Sequence, residues 1–193
     1  MIIPVSTLKD IAHKLQNNQV GIFPFDTLLG LTCRLAEAPI KRIQNIKNRD
    51  PNSPFITIIG HPDQLATLTG PLSEMQHKTM QKCWPGPVTL ILPKHQELPP
   101  YIAPGYPNIA IRWADYGPLQ ILMTMVNEPI VSTSLNISGQ PAITDPTQIP
   151  KQLLDQVDFC LAKPSLYQHA SQILDLCTTP IKELRKGPAN QPL

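Results

Sequence analysis

The stretch VGIFPFDTLLG, residues 20–30, reads as a short strand running into a turn. Residues 20–25 are apolar but too few for a helix, and Asp26, Thr27 and Gly30 follow with turn chemistry. Just upstream, Leu8, Ile11, Ala12 and Leu15 repeat at helical spacing, with Thr7 and Asp10 placed as a capping box. Just downstream, Ile40, Ile43 and Ile46 keep one face of a second helix whose C-terminal end carries Lys47 and Arg49. A helix, a buried strand and a helix in this order point to an α/β arrangement.

The same alternation continues outward. Residues 55–59, 88–92, 109–113 and 130–134 read as strands, and residues 171–176 and 181–185 as two late ones. Pro62 and Pro71 each sit where a first helical residue fits, and Leu72, Met75, Thr79, Met80 and Cys83 form a helical stripe that ends before Pro85. Leu119, Leu122, Met123 and Val126 mark another helix, and residues 147–157 a last one. Trp84 reads as a packed aromatic closing its helix. No repeat or linker interrupts the pattern, so the expectation is one α/β domain over residues 1–193, with a twisted mixed sheet flanked by helices.

Composition narrows the function. Charged residues make up 16% of the chain, below the roughly 25% of an average globular protein, and 41% is hydrophobic, which excludes disorder. A net charge of +2 permits an anionic partner without the basic stripe of a dedicated nucleic-acid binder. Cys33, Cys83, Cys160 and Cys177 form no CxxC pair and read as isolated reduced thiols in small apolar surroundings. There is no signal-peptide pattern and no apolar run of about 18 residues, so a cytoplasmic protein without a membrane span is expected. Neither GxxxxGK[ST] nor GxGxxG occurs, and the five histidines are scattered, which argues against a standard nucleotide loop, a triad or a metal site.

Three segments carry candidate chemistry. In IKNRDPNSPF, Lys47 and Arg49 precede a proline-bounded turn and Ser53, a grouping suited to polyphosphate but also to a solvated helix end. Arg112 closes the apolar run NIAIR, where it suits either a rim salt bridge or a clamp on a carboxylate or phosphate. PIVSTSLNISG runs a strand straight into Ser132, Thr133, Ser134, Asn136 and Ser138. That is where open α/β sheets bind ligands, although a polar turn would read the same way. Asp26 is read as structural, and no carboxylate or histidine is placed to serve as general base.

Six segments, GIFPFDTLLGLTC, KNRDPNSPF, WPGPVTLILP, NIAIR, PIVSTSLNISGQP and ELRKGP, occur in order and together resemble the YrdC/TsaC family of L-threonylcarbamoyladenylate synthases. The resemblance runs over about residues 20–187 and implies an α/β fold around a basic cavity. The implied reaction consumes L-threonine, bicarbonate or CO2, and ATP as substrate, with Mg2+ accompanying the triphosphate and pyrophosphate released. By the family pattern, Lys47 and Arg49 are the catalytic KxR pair. Arg49, Ser53, Asn108, Ser134, Asn136 and Arg185 would hold ATP, and Thr27, Arg112, Ser132 and Ser171 would hold threonine. The implied partner is a downstream tRNA-modifying transferase complex. A paralogue that binds RNA or nucleotide without turnover is the alternative. Phe25, Leu29, Ile58 and Leu135 depart from the family pattern, and the expectation is that they make the cavity more apolar, with Phe25 bordering the amino-acid pocket.

Overall fold

The computed structural model describes residues 5–137 and 139–188. The first helix, α1, is Val5–Gln16, so Thr7 and Asp10 lie inside it and form no cap at its start. The chain then forms a hairpin of β1 (Gly21–Pro24) and β2 (Leu29–Arg34), the second of which looks like loop in the sequence. Helix α2 (Glu37–Lys47) leads to β3 (Ile56–Ile58). A 3-10 turn at Pro62–Gln64 and a single helical turn α3 (Leu65–Leu68) follow.

Helix α4 is Glu74–Cys83, starting three residues later than Pro71 suggests. The reason is a reciprocal cap: Ser73 Oγ accepts from the Gln76 amide and Gln76 returns a bond to the Ser73 amide. Trp84 ends the helix, 8% exposed, with its indole Nε1 donating to Val88 O at 2.7 Å. Strands β4 (Val88–Pro93) and β5 (Asn108–Arg112), helix α5 (Gly117–Val126) and strand β6 (Ile130–Ser134) match the apolar periodicity closely. The expected helix over 147–157 is instead a 3-10 turn, Pro146–Gln148, and a single turn α6 (Lys151–Leu154). Pro150 between them lacks the amide that a continuous helix would need. Strands β7 (Phe159–Cys160), β8 (Gln172–Asp175) and β9 (Lys182–Arg185) complete the fold.

Among the described residues, nine strands join one mixed sheet in the order β7-β1-β2-β6-β3-β5-β4-β8-β9. Because side chains alternate across a strand, β1 sends Phe23 to a core under α1 and α5, and Ile22 to a second core under α2. A third core lies where α3 and α4 meet β4 and β5. Cys33 and Cys83 are buried thiols, whereas Cys160 and Cys177 are exposed, so the apolar setting expected for all four holds for two. Among the described residues, no helix is long and apolar enough to cross a membrane.

Candidate active site

One row of residues crosses five strands through their pairing register: Thr32 opposite Ser132, Ser132 opposite Ile56, Ile56 opposite Ala110, and Ala110 opposite Ile91. These side chains share the sheet face that α1 and α5 cover farther along, where Ile58 and Ile130 enter the first core. The helices stop short of the row, and its residues are mostly small. A hollow of about 420 Å³ results, with Gly30, Ile56, Ala110 and Ser132 on its floor. Gly30 is required there, since a β-carbon would lie 2.9 Å from the Phe25 ring and 3.0 Å from the Thr133 carbonyl oxygen.

Among the described residues, three arginines line the hollow, Arg49, Arg112 and Arg185, and no aspartate or glutamate does. Arg112 comes from the end of β5 and is 2% exposed. Its Nη1 donates to Thr27 Oγ1 at 2.7 Å, and its Nη2 lies 3.3 Å from Asp26 Oδ1. Asp26 is fully buried, and neither of its carboxylate oxygens finds a well-aligned hydrogen-bond donor among the described residues. Burial therefore raises its pKa, against the pull of Arg112 and of the nearby Thr27 and Asp26 amides. Burial also lowers the pKa of Arg112, against the attraction of Asp26, but an arginine stays charged. The pair thus fixes a cation at the rim of the apolar core with its outer face toward the hollow.

Arg185 approaches from the edge strand β9. Its Nε donates to Ser171 O at 2.8 Å and its Nη2 to Ser171 Oγ at 3.0 Å. The same hydroxyl lies 2.8 Å from Thr89 Oγ1, which is buried in β4. Gly187 lets the strand come this close, because a β-carbon there would sit 2.8 Å from the Gln172 amide nitrogen.

The opposite wall begins at the end of α2. Asn48 turns the chain left-handed at φ 48°, and the Asn48 and Arg49 amides return to Asn45 O and Gln44 O. This reversal separates the two cations of the KxR pair. Arg49 lines the hollow, its Nη2 donating to Pro54 O at 3.0 Å and its guanidinium lying 5.0 Å from the centre of the Phe55 ring. Lys47 turns inward and is 1% exposed. Its Nζ donates to Ser134 O at 2.6 Å, Asn136 O at 2.8 Å and Asn136 Oδ1 at 2.5 Å. Ser134 Oγ adds a bond of 2.8 Å to the same Asn136 Oδ1, and Asn136 Nδ2 donates to Gln140 O at 2.6 Å.

Of the residues singled out in the sequence, Thr27, Arg49, Arg112, Ser132, Ser134, Asn136, Ser171 and Arg185 meet around this hollow. Lys47, Ser53 and Asn108 are absent from its lining. Asn108 shares a face with Ala110 and Arg112 but lies at the far end of β5, against Pro93. Ser53 belongs to the turn after Arg49, its amide bonded to Asp50 O. Ser138 lies outside the described residues. Among the four departures, Leu29 lines the hollow, whereas Phe25 and Ile58 belong to the first core and Leu135 to the second. Phe25 is not among the residues that line the hollow: its ring packs edge-on against Phe23 and occupies the space over Gly30. Asp26 gave no signal beyond its place in the DT turn, because its partner is remote in sequence.

A mixed α/β sheet whose uncovered face is hollow, lined by arginines and free of acids defines a protein built to hold anions. The family profile described as telomere recombination, that of the Sua5, YciO and YrdC proteins, matches residues 13–187, and the chain belongs to that family. It is 31% identical over 138 residues to a threonylcarbamoyl-AMP synthase of Yersinia enterocolitica, covering 70% of this chain and 73% of that protein. It is 35% identical over 144 residues to one of Bacillus subtilis, covering 74% of this chain but 42% of that protein. Its fold is similar to P. abyssi Sua5 complexed with L-threonine, at a TM-score of 0.90 and 28% identity, covering 97% of this chain and 56% of that one. The last two relatives are thus much longer than the part this chain spans. The named relatives make it an enzyme family.

Proposed function

We propose that the protein is a threonylcarbamoyl-AMP synthase, a nucleotidyltransferase that joins L-threonine, bicarbonate or CO2, and ATP. The observation that carries this reading is the acid-free hollow with Arg112 at its inner end and Arg49 and Arg185 beside it. The names of the relatives, and the L-threonine in the Pyrococcus neighbour, supply the chemistry.

In this reading the threonine amine forms a bond to the carbon of CO2 and loses a proton, giving a carbamate. A carbamate oxygen then attacks the α-phosphorus of ATP, the bond to the β-phosphate breaks, and pyrophosphate leaves. Two anions must meet, so cations have to neutralise both and hold them in line. Arg112, with Thr27, Ser132 and Ser171, would take the threonine carboxylate. Arg49, Ser134, Asn136 and Arg185 would take the nucleotide. Ser53 and Asn108 lie off the wall and would act only at its margin. Mg2+ would arrive on the triphosphate, since the lining offers it no carboxylate. The product would pass to a transferase complex that attaches it to adenosine 37 of tRNAs.

The test is incorporation of labelled bicarbonate into an adenylate, with pyrophosphate followed in parallel and serine, valine and no amino acid as controls. Label that depends on both threonine and ATP is expected. A folded protein that binds ATP and releases no pyrophosphate with any amino acid would overturn the assignment.

A further inference from the structure

We propose that Lys47 is a positioning residue, whose ammonium holds the 134–136 segment in its anion-binding shape, and not a group that touches the nucleotide. The inference rests on the reading that this segment receives nucleotide phosphate. An ammonium has three protons to donate. Here three acceptors take them, two main-chain carbonyls and the Asn136 side chain, all at 2.5–2.8 Å, and none is left for a phosphate oxygen. The side chain is 1% exposed and lies behind the segment, away from the hollow that Ser134, Asn136 and Arg49 line.

The consequence for the segment is specific. Asn136 Oδ1 accepts from both Lys47 Nζ and Ser134 Oγ, which fixes the amide so that Nδ2 points to Gln140 O. Removing the ammonium would leave two part-buried carbonyls facing an apolar stem and free the Asn136 amide to turn over. Ser134 and Asn136 would then lose their shared geometry together. A lysine buried without a carboxylate partner is otherwise costly, and hydrogen bonds from a charged donor to carbonyls are what offset that cost.

A double-mutant cycle separates positioning from contact. ATP affinity is measured by calorimetry for the intact protein, Lys47→Met, Asn136→Ala and the double variant. If Lys47 acts through the segment, each single change weakens ATP at least tenfold and the double variant is within about twofold of the weaker single one. Losses that multiply, to about a hundredfold, would make Lys47 an independent ligand and sink the proposal. Hydrogen exchange gives a readout that does not need ATP: the Gln140 and Ile143 amides, bonded to Ile137 O and Leu135 O, should exchange at least tenfold faster in Lys47→Met. Unchanged protection there would also overturn it. Should the unmodified protein fail to bind ATP, the functional reading falls while the exchange result still decides what Lys47 does. If Lys47→Met does not fold, Lys47→Gln, whose shorter, uncharged side chain also removes the ammonium, serves in the same cycle.

Discussion

Arg112 Nη1 donates to Thr27 Oγ1 at 2.7 Å across 85 positions of sequence, so the turn of the first hairpin holds the guanidinium that ends β5. Replacing Thr27 with Val keeps the shape and removes the acceptor. The expected result is a rise of about tenfold in threonine KM, ~1.4 kcal/mol, with kcat changed less, measured by pyrophosphate release.

Arg112→Ala and Arg49→Ala should each lower kcat/KM at least tenfold, ~1.4 kcal/mol or more, by removing cations from opposite walls of the hollow. Near-normal activity in both variants would remove the site assignment.

Asp26 balances a buried guanidinium from a position with no exposure to solvent. Asp26→Ala should therefore destabilise the protein by about 3–5 kcal/mol, because it leaves Arg112 as a buried charge without its partner. A urea midpoint that hardly moves would show that the pair is not needed for folding.

Phe25→Thr places a small hydroxyl residue at a buried position that does not line the hollow. Its expected cost is about 3 kcal/mol of stability from lost core volume, with threonine KM unchanged. A clear fall in KM would show that this position senses the substrate after all.

Burial, and secondarily the Arg49 charge, bring the Lys47 pKa down from 10.5 to about 8. Two pH dependences with opposite signs follow. ATP affinity should fall as pH rises through about 8, where the ammonium loses a proton and the 134–136 segment a donor. Stability should rise between about 8 and 10.5, because the unfolded chain holds the Lys47 proton there and the folded one does not. Calorimetric binding from pH 7 to 9 and urea melts from pH 8 to 10.5, each compared with Lys47→Gln, check the two slopes.

Much of this architecture was legible in the sequence because the apolar periodicity is strong where the elements are long. Strand β6 coincides with the apolar run of residues 130–134, and α5 follows Leu119, Leu122, Met123 and Val126. Strand β2 was hidden because Asp26, Thr27 and Gly30 announce a turn and its buried glycine weakens the strand signal. Helix α4 starts later than the sequence suggests, because Pro71 is a more visible start signal than the Ser73–Gln76 cap. The site was legible as motifs, since Arg49, Arg112, Ser134 and Arg185 do converge. What no motif revealed was direction. The left-handed turn at Asn48 sends Lys47 behind the wall and Arg49 onto it, and the rise along β5 carries Asn108 past the end of the hollow. The Asp26–Arg112 pair left no local trace, because its members meet only when the hairpin packs across the sheet.

The position of Arg185 on an edge strand also orders events in time. Residues 21–134 contain the five-strand floor, Arg49 and Arg112, but Ser171 and Arg185 join it only when β8 pairs with β4 and β9 with β8. Chains emerge from the ribosome at about 5–20 residues per second, so a nascent protein carries two of its three arginines for several seconds before the third docks. During that interval the binding surface exists without its last wall. A growing chain would thus complete its arginine-lined wall late and at once, with the closing hairpin as the step that finishes it.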